Sequence, residues 1–203
     1  MLRRVLDILV ALLGLTVSAP LLLVLWLWVR LSSPGPGFYG GRRVGRGGRE
    51  FRMWKFRSMY VGSDSAGGSI TSGEGDRRIT SAGAFLRRTK LDELPQLWNL
   101  LVGDVTLVGP RPEAPDIVAH YSPEQQRVLE ATPGITGRTQ IEFSGREANM
   151  AVPEGMSATD FYLQEILPDK IASDLRYLET RSLLGDLRIL GATAGLMLRR
   201  SKG

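Results

Sequence analysis

The stretch that decides the fold is residues 87–112, RRTKLDELPQLWNLLVGDVTLVGPRP. Within it, Asp92–Leu101 carries apolar side chains at positions 94, 97, 98, 100 and 101, a spacing typical of a helix packed on one face. Asp92 is expected to cap this helix and Pro95 to lie in its first turn, and Gly103 is expected to end it. A packed helix at the centre of the chain is therefore the first prediction.

Working outward from that helix, the pattern alternates further helices with short strands. Glu50–Tyr60 predicts a strand with Phe51 and Met53 on one face and Arg52 on the other. The pattern also predicts a second strand at Val105–Val108, a loop at Gly62–Asp76 and a tight turn at Pro133–Gly137. Further helices are predicted at Ile79–Arg88, Ser122–Leu129 and Phe161–Leu183, the last of them broken near Pro168. The predicted fold class is α/β, mostly helical with a small sheet.

A long apolar segment lies near the N-terminus. Ile8–Val29, ILVALLGLTVSAPLLLVLWLWV, has no charge in 22 residues, enough for a helix to cross about 30 Å of hydrocarbon. Pro20 near its middle predicts a kink close to Thr16–Ala19. The helix either spans the membrane with a kink or turns back to the face by which it entered.

Charge around this segment modestly favours the second alternative, a re-entrant helix. Residues 37–60 hold seven basic side chains and one acidic one, which places them in the cytoplasm by the positive-inside rule, and Arg3 and Arg4 prefer the same side. The predicted organisation is residues 1–33 inserted in the membrane and residues 34–203 forming a cytoplasmic domain. Leu183–Leu198 either lies on the membrane surface as an amphipathic helix or is buried against that domain.

Composition limits the chemistry. The chain has no Cys and a single His, His120, which excludes thiolate nucleophiles and makes a site of several His ligands hard to build. Any metal must be held mainly by oxygen, as Mg²⁺ is. The net charge is +5, with 22 Arg against 4 Lys. Arg suits phosphate recognition, but a GC-rich genome explains the overall excess equally well.

Asp92 and Glu93 are the candidate catalytic residues. Acids at a helix N-terminus are commonly structural, since the helix dipole favours them there. Basic residues close to them in the sequence or beside turns favour a phosphate site instead: Lys55, Arg57, Arg87, Arg88, Arg111 and Arg146. Carboxylates among such cations are expected to stay ionised, and an ionised Asp can attack phosphorus with Mg²⁺ neutralising a diphosphate.

Three motifs resemble one known family. Residues 87–112 are similar to the core signature of the bacterial sugar transferases, the monotopic polyprenol-phosphate phosphoglycosyl transferases. Lys55–Met59, KFRSM, resembles their basic strand motif, and Pro133–Gly137, PGITG, resembles their PGITG turn. The similarity extends from Leu2 to about Leu187, nearly the whole chain.

The resemblance implies an enzyme at the cytoplasmic face of the bacterial inner membrane. It implies transfer of a sugar 1-phosphate from a UDP-sugar to a polyprenol phosphate, usually undecaprenol phosphate, at the start of glycoconjugate synthesis. Asp92 would attack the β-phosphorus and release UMP. Glu93 would help to hold Mg²⁺, as would Asp92, or would manage the acceptor's proton. The expected donor-binding residues are Lys55, Arg57, Arg87, Arg88, Pro110, Arg111, Pro112 and Arg146. The expected partners are both substrates and the lipid bilayer, without nucleic acid.

The chain departs from the family pattern at the helix break, which reads Ser18-Ala19-Pro20 where the family has Ser directly before Pro. Ser18 or Thr16 would have to satisfy the carbonyl freed by the kink. Two other interpretations stay open: a membrane-anchored module that binds polyanions, and a structural subunit. The particular UDP-sugar, the glycan pathway and the oligomeric state, a homo-oligomer included, are not encoded in any motif.

Overall fold

One long helix, α1 (Leu2–Ser32), opens the chain and continues through Pro20. The computed structural model describes residues 1–63, 76–143 and 152–200, with side chains to residue 196. Within these, α1 alone is long and apolar enough to cross a membrane. Ser18 Oγ donates to Gly14 O at 2.6 Å, so it does not satisfy Thr16 O, the carbonyl that Pro20 leaves without a donor. Even so, α1 remains one continuous helix, and the break expected near Thr16–Ala19 does not divide it into two.

The N-terminal half of α1 is fastened to the rest of the protein by polar contacts. Arg4 Nη1 donates to Leu100 O at 2.6 Å. Asp7 is buried, and its carboxylate accepts from Thr106 Oγ1 at 2.8 Å and from Leu107 N at 3.0 Å. Because a buried carboxylate needs such donors, these contacts fix this half against the domain.

Apolar packing fastens both halves of α1 as well. Near its start the helix joins a core cluster of Ala11, Leu100 and Val105. Near its end it joins a second cluster of Leu25, Val29, Phe56 and Leu86. Many other side chains of α1 remain exposed, among them Leu13, Val17 and Leu23. The helix thus lies along one body over its length, with an apolar face turned outward.

An antiparallel hairpin forms the first of two small sheets. It consists of β1 (Phe38–Val44) and β2 (Glu50–Phe56), with Tyr39 opposite Lys55. β2 confirms the predicted strand as far as Phe56, whereas β1 is a strand that the sequence pattern did not reveal. The side chain of Asn99 holds the hairpin in place, because its amide accepts from Trp54 N and donates to Arg52 O.

The central helix of the opening motif is shorter than predicted. α2 (Ser81–Thr89) confirms the helix expected at Ile79–Arg88. A 3-10 turn, Leu91–Glu93, follows, and only then does α3 (Gln96–Val102) begin, with Pro95 as its N-cap residue and Gly103 ending it at φ 94°. The prediction that Asp92 caps α3 is therefore wrong. Asp92 lies in the preceding turn, because the chain reverses direction between the two helices.

The second small sheet is parallel and corrects another prediction. β3 (Thr106–Val108) confirms the predicted strand. Pro133–Gly137 is not a tight turn, because Gly134–Thr136 forms β4 and pairs with β3. Glycine is required at position 134, since a Cβ there would lie 2.1 Å from Gly109 N. The chain is mostly helical with little sheet, as predicted, but within the described ranges that sheet is two separate pairs.

Helices dominate the C-terminal half. They are α4 (Pro115–Val118), a 3-10 helix at Gln125–Glu130, α5 (Arg138–Glu142), α6 (Ala158–Phe161), a π-helical turn at Tyr162–Ile166, α7 (Leu167–Glu179) and α8 (Leu183–Arg200). Pro168 lies in the first turn of α7, which confirms the predicted interruption.

The last helix, α8, divides its side chains between two environments. Asp186 is buried and accepts hydrogen bonds from Arg3 and Tyr177. Leu184 and Leu187 are 59% and 64% exposed. One face therefore packs against the domain, while the other presents leucines outward, and contact of that outer face with a membrane surface stays a prediction.

Candidate active site

A cavity of about 760 Å³ opens between the hairpin, α2 and the segment after β3. We call it the active-site cavity. Its polar and charged lining residues are Tyr39, Arg43, Lys55, Arg57, Ser58, Tyr60, Arg78, Arg87, Lys90, Asp92, Glu93, Arg111, Glu113, Asp116, Tyr162 and Lys170. The structure therefore brings both predicted carboxylates together with several of the predicted cations.

Asp92 is held at the wall of this cavity by a tight turn. The residue two positions before it, Lys90, has φ 59° and is the one non-glycine residue with positive φ in the described chain. This left-handed residue ends α2 and begins the 3-10 turn, and Asp92 lies in that turn at the cavity wall. Asp92 is 6% exposed, and its Oδ1 has no hydrogen-bond partner among the described residues. A buried oxygen without a donor is uncommon and marks a place where a ligand fits.

Glu93, the adjacent acid, is placed quite differently. Its Oε1 accepts from Lys55 Nζ at 2.9 Å and lies 3.5 Å from Arg111 Nη2. Burial alone would raise the pKa of Glu93, but Lys55 and Arg111 outweigh it and hold that pKa well below its usual range. Glu93 is therefore ionised and already paired.

The expectation that nearby cations lower the pKa of both carboxylates holds for Glu93 only. Burial raises the pKa of Asp92 above its ordinary value, and the charge of Glu93 raises it further. Lys55, Lys90 and Arg87 act in the opposite direction but do not cancel these effects. The physical reason is desolvation, which penalises the charged form of a carboxyl that has few donors around it.

The two arginines of α2 fall on different sides of that helix. Arg87 lines the cavity, 3.5 Å from Ser58 Oγ, as predicted for a donor-binding residue. Arg88 does not line it: the side chain is exposed and its guanidinium lies over the ring of Phe85, 5.9 Å from the centroid. Successive helical residues point about 100° apart, which the sequence motif alone does not display.

Arg57 lines the edge of the cavity but uses its guanidinium elsewhere. Its Nε donates to Pro36 O at 2.7 Å, its Nη2 donates to Val29 O and Ser33 O at 3.1 and 2.8 Å, and its Nη1 donates to Pro34 O. Four carbonyls at the end of α1 and just beyond it thus occupy this side chain. The arrangement supports a capping role for Arg57, in place of the phosphate contact expected from the sequence.

The Pro-Arg-Pro segment divides between two environments. Arg111 lines both the active-site cavity and a neighbouring cleft of about 20 Å³, whereas Pro110 and Pro112 line only that cleft, which is far too small for a nucleotide. Proline restricts the backbone on both sides of Arg111, and Gly134 N donates to Pro110 O at 2.8 Å. Arg146 lies outside the described residues.

Asp92 and Glu93 are the carboxylates expected to hold Mg²⁺. Within the described ranges, no group of three acidic or histidine side chains comes close enough to hold a metal. Mg²⁺ commonly takes one or two carboxylates and completes its shell with substrate phosphates and water. Asp92 Oδ1 is without a partner, and the ion pairs of Glu93 both involve Oε1. The pair therefore fits a cation that is shared with a bound diphosphate.

Several cavity residues were missed by sequence reasoning. Lys90 is within the central motif and could have been found from its place two residues before Asp92. Glu113 directly follows the Pro-Arg-Pro segment. Tyr162 and Lys170 come from distant helices and carry no local signal, because only the tertiary fold brings them to this wall.

Comparison with known proteins agrees with this geometry. The family model described as bacterial sugar transferase matches residues 1–200. The chain belongs to the bacterial sugar transferase family. It is therefore an enzyme.

Individual bacterial sugar transferases resemble the chain over most of its length. A UDP-glucose:undecaprenyl-phosphate glucose-1-phosphate transferase of Caulobacter vibrioides is 38% identical over 97% of this chain and 69% of that protein. The exopolysaccharide production protein PSS of Rhizobium leguminosarum is 36% identical over 100% of this chain and 98% of that protein. In a larger relative from Xanthomonas campestris, 40% identical, the match covers 36% of that protein.

Proposed function

We propose that this bacterial sugar transferase moves a sugar 1-phosphate from a UDP-sugar to a polyprenol phosphate such as undecaprenol phosphate. The observation that carries the proposal is the contrast between two adjacent carboxylates on one cavity wall. Glu93 is paired with Lys55 and Arg111, while Asp92 Oδ1 has no donor within the described residues. An oxygen held without a partner beside several cations is suited to meet phosphorus.

The first step forms a covalent intermediate. A carboxylate oxygen of Asp92 attacks the β-phosphorus of the donor, the bond from that phosphorus to the bridging oxygen breaks, and UMP leaves with the electron pair. Lys55, Arg87, Lys90 and Arg111 line the same cavity and offset the negative charge that gathers on the phosphates. Arg111 and Lys55 also keep Glu93 ionised, so that residue takes part as a fixed negative group.

The second step returns Asp92 to its starting state. A phosphate oxygen of the polyprenol phosphate attacks the phosphorus of the aspartyl-phosphosugar, the acyl phosphate bond breaks, and a polyprenyl diphosphosugar is released.

Mg²⁺, held by Asp92 and Glu93 together with phosphate oxygens of the donor, would neutralise charge on the diphosphate. The acceptor requires that the cavity open close to lipid.

The packing of α1 supports a location on one side of the membrane. Ala11 and Leu25, in opposite halves of the helix, both pack against the body that holds the cavity. A helix with both halves tied to that body does not leave one end free to cross. We therefore propose a monotopic enzyme at the cytoplasmic face of the inner membrane, with residues 1–33 inserted, residues 34–203 forming the catalytic domain, and the leucines of α8 at the lipid interface.

The test combines substrate identity with the nucleophile. Purified protein in nanodiscs receives Mg²⁺, undecaprenol phosphate and one member of a panel of UDP-sugars, and UMP release is measured beside the Asp92→Asn variant. We expect release with one donor and its loss in the variant. Incubation without acceptor should leave a phosphosugar attached to the wild-type chain, visible by intact-protein mass.

Each alternative result has a meaning. Release that survives Asp92→Asn would show direct attack by the lipid phosphate. A protein that binds UDP-sugars without releasing UMP from any donor would favour the polyanion-binding interpretation. Arg88→Gln serves as the matched control, because this arginine lies in the same motif but outside the cavity.

A further inference from the structure

The active-site cavity has a second polar region besides Asp92 and Glu93. One face of the hairpin contributes to its wall, with Tyr39, Gly41 and Arg43 at alternate positions of β1. Lys55, the partner of Glu93, is opposite Tyr39. Four residues of strand span about 13 Å, so the backbone of Arg43 lies about that far along β1 from Tyr39, the residue opposite Lys55.

Glu113 lies in this second polar region of the cavity. Its backbone carbonyl accepts from Val44 N at 3.0 Å, which fixes it beside the last residues of β1. Its carboxylate Oε1 accepts from Lys170 Nζ at 3.1 Å and from the Tyr162 hydroxyl. Lys170 Nζ also donates to the Tyr162 oxygen at 2.6 Å. We call Glu113, Tyr162 and Lys170 the distal triad.

A purely structural role explains the distal triad poorly, because burying charged groups opposes folding. Lys170 is 5% exposed, and a buried ion pair is often no more stabilising than apolar residues of the same volume. Tyr162 is the first residue of the π-helical turn, and single π turns are frequent at functional sites. All three side chains line the cavity that holds Asp92 and Glu93. Placement on that wall favours contact with a ligand.

The chemistry of the triad favours hydroxyl groups. Although burial raises the pKa of Glu113, Lys170 and Tyr162 bring it below its ordinary value, so the carboxylate accepts hydrogen bonds and does not donate them. A carboxylate that accepts from ribose hydroxyls is a recurrent solution in nucleotide sites. In a UDP-sugar, the transferred sugar is bonded directly to the β-phosphate, whereas the ribose is separated from it by the α-phosphate.

We propose that the distal triad binds vicinal hydroxyls of the donor through Glu113, with Lys170 and Tyr162 holding that carboxylate in place. The proposal rests on the proposed function, because it takes the β-phosphate to lie at Asp92. The distance along β1 makes the ribose the expected source of these hydroxyls. The hydroxyls of the transferred sugar have the same chemistry and are distinguished by the test.

The test measures binding, which does not require turnover. Dissociation constants for UDP and for 2′-deoxy-UDP are determined by calorimetry with detergent-solubilised wild type and Glu113→Gln. A hydrogen bond to a charged group corresponds to roughly a tenfold to hundredfold preference. We expect wild type to prefer UDP by at least about tenfold, and the variant to lose the preference while binding 2′-deoxy-UDP as wild type does.

The other outcomes separate the two hydroxyl sources from failure. If Glu113→Gln binds UDP normally but binds UDP-sugars more weakly, the triad reads the transferred sugar. If neither changes, the proposal is overturned and the triad is structural. Wild type that binds no UDP at all would overturn the proposed function itself. Because Glu113→Gln leaves Lys170 buried without its counter-ion, the double variant Glu113→Gln/Lys170→Met is measured alongside and should show the same loss.

Discussion

Lys55 Nζ lies 2.9 Å from Glu93 Oε1, and this ion pair separates two adjacent carboxylates into different roles. The ion pair fixes the orientation of the ionised Glu93. Asp92, one residue earlier, keeps an oxygen without a donor in the described structure. In the proposed mechanism, Glu93 is therefore a fixed negative charge and Asp92 the nucleophile. This division leads to a prediction on the pH dependence of the reaction.

UMP release in the first step should rise with pH through the raised pKa of Asp92, because only the ionised carboxylate attacks. Burial and the Glu93 charge both raise that pKa, while Lys55 lowers it. Glu93→Gln should therefore move the acid limb to lower pH, and Lys55→Met should move it to higher pH. Single-turnover rates across a pH series measure the pH at the midpoint of the acid limb independently of the maximal rate. Identical positions in all three proteins would contradict the assignment.

Arg57 should matter for stability more than for donor binding. Its guanidinium is bound to four carbonyls around the end of α1, and lysine cannot reproduce that fork. Arg57→Lys should lower the free energy of unfolding by about 2–4 kcal/mol, measured by thermal or chemical unfolding. Arg88→Lys, an exposed matched control, should change it little. A normal melting temperature together with a weakened affinity for UDP would restore the phosphate role for Arg57.

Asp174 should make the fold less stable as pH rises. Its carboxyl is buried and accepts from Thr139, and burial raises its pKa to about 7. The unfolded chain has a value of about 3.9, so the folded state holds the proton more tightly. The resulting stability is fully present below about pH 4 and is lost as pH rises through about 7.

The size of this loss is on the order of 4 kcal/mol. Asp174→Asn, which stays neutral, should therefore be more stable than wild type at about pH 8 and should show a flatter dependence of melting temperature between about pH 5 and pH 8. A steeper dependence in the variant would mean that Asp174 is ionised in the folded protein.

Asp7 should hold the membrane helix to the domain. Replacing it by Ala leaves the Thr106 hydroxyl and the Leu107 amide without their acceptor. Each buried donor left unpaired costs roughly 1–3 kcal/mol, so Asp7→Ala should unfold at clearly lower temperature. Thr106→Val removes one of the two donors and should have the smaller effect. Faster proteolysis of α1 in Asp7→Ala, followed by mass spectrometry, would report the detachment directly.

The sequence predicted the elements whose signal is local. Helical spacing in α2, the alternation in β2 and the stop at Gly103 all depend on residues near one another. Pro133–Gly137 was misread because Gly and Pro usually mark turns, whereas here Gly134 permits close parallel pairing with β3. Asp92 was misplaced as a cap because the left-handed residue at Lys90, a position where glycine is usual, gives no compositional signal.

The site shows the same limit. Asp92, Glu93, Lys55, Arg87 and Arg111 could be assembled from motifs, and all five line the cavity. The direction of Arg57 and Arg88 could not, because it depends on which helix end or solvent face each side chain meets. Tyr162 and Lys170 reach the cavity only through the packing of the π-helical turn and α7 against the domain.

The contacts of Arg57 have a mechanical consequence. This residue donates hydrogen bonds to carbonyls at the end of α1, and Lys55, two residues earlier, forms the ion pair with Glu93. A tilt or vertical shift of α1 is thereby transmitted over a few bonds to the acid that neighbours the nucleophile. We expect turnover to depend on the acyl-chain length of the surrounding lipid, so that bilayer thickness acts as a physical control on how fast glycan synthesis begins.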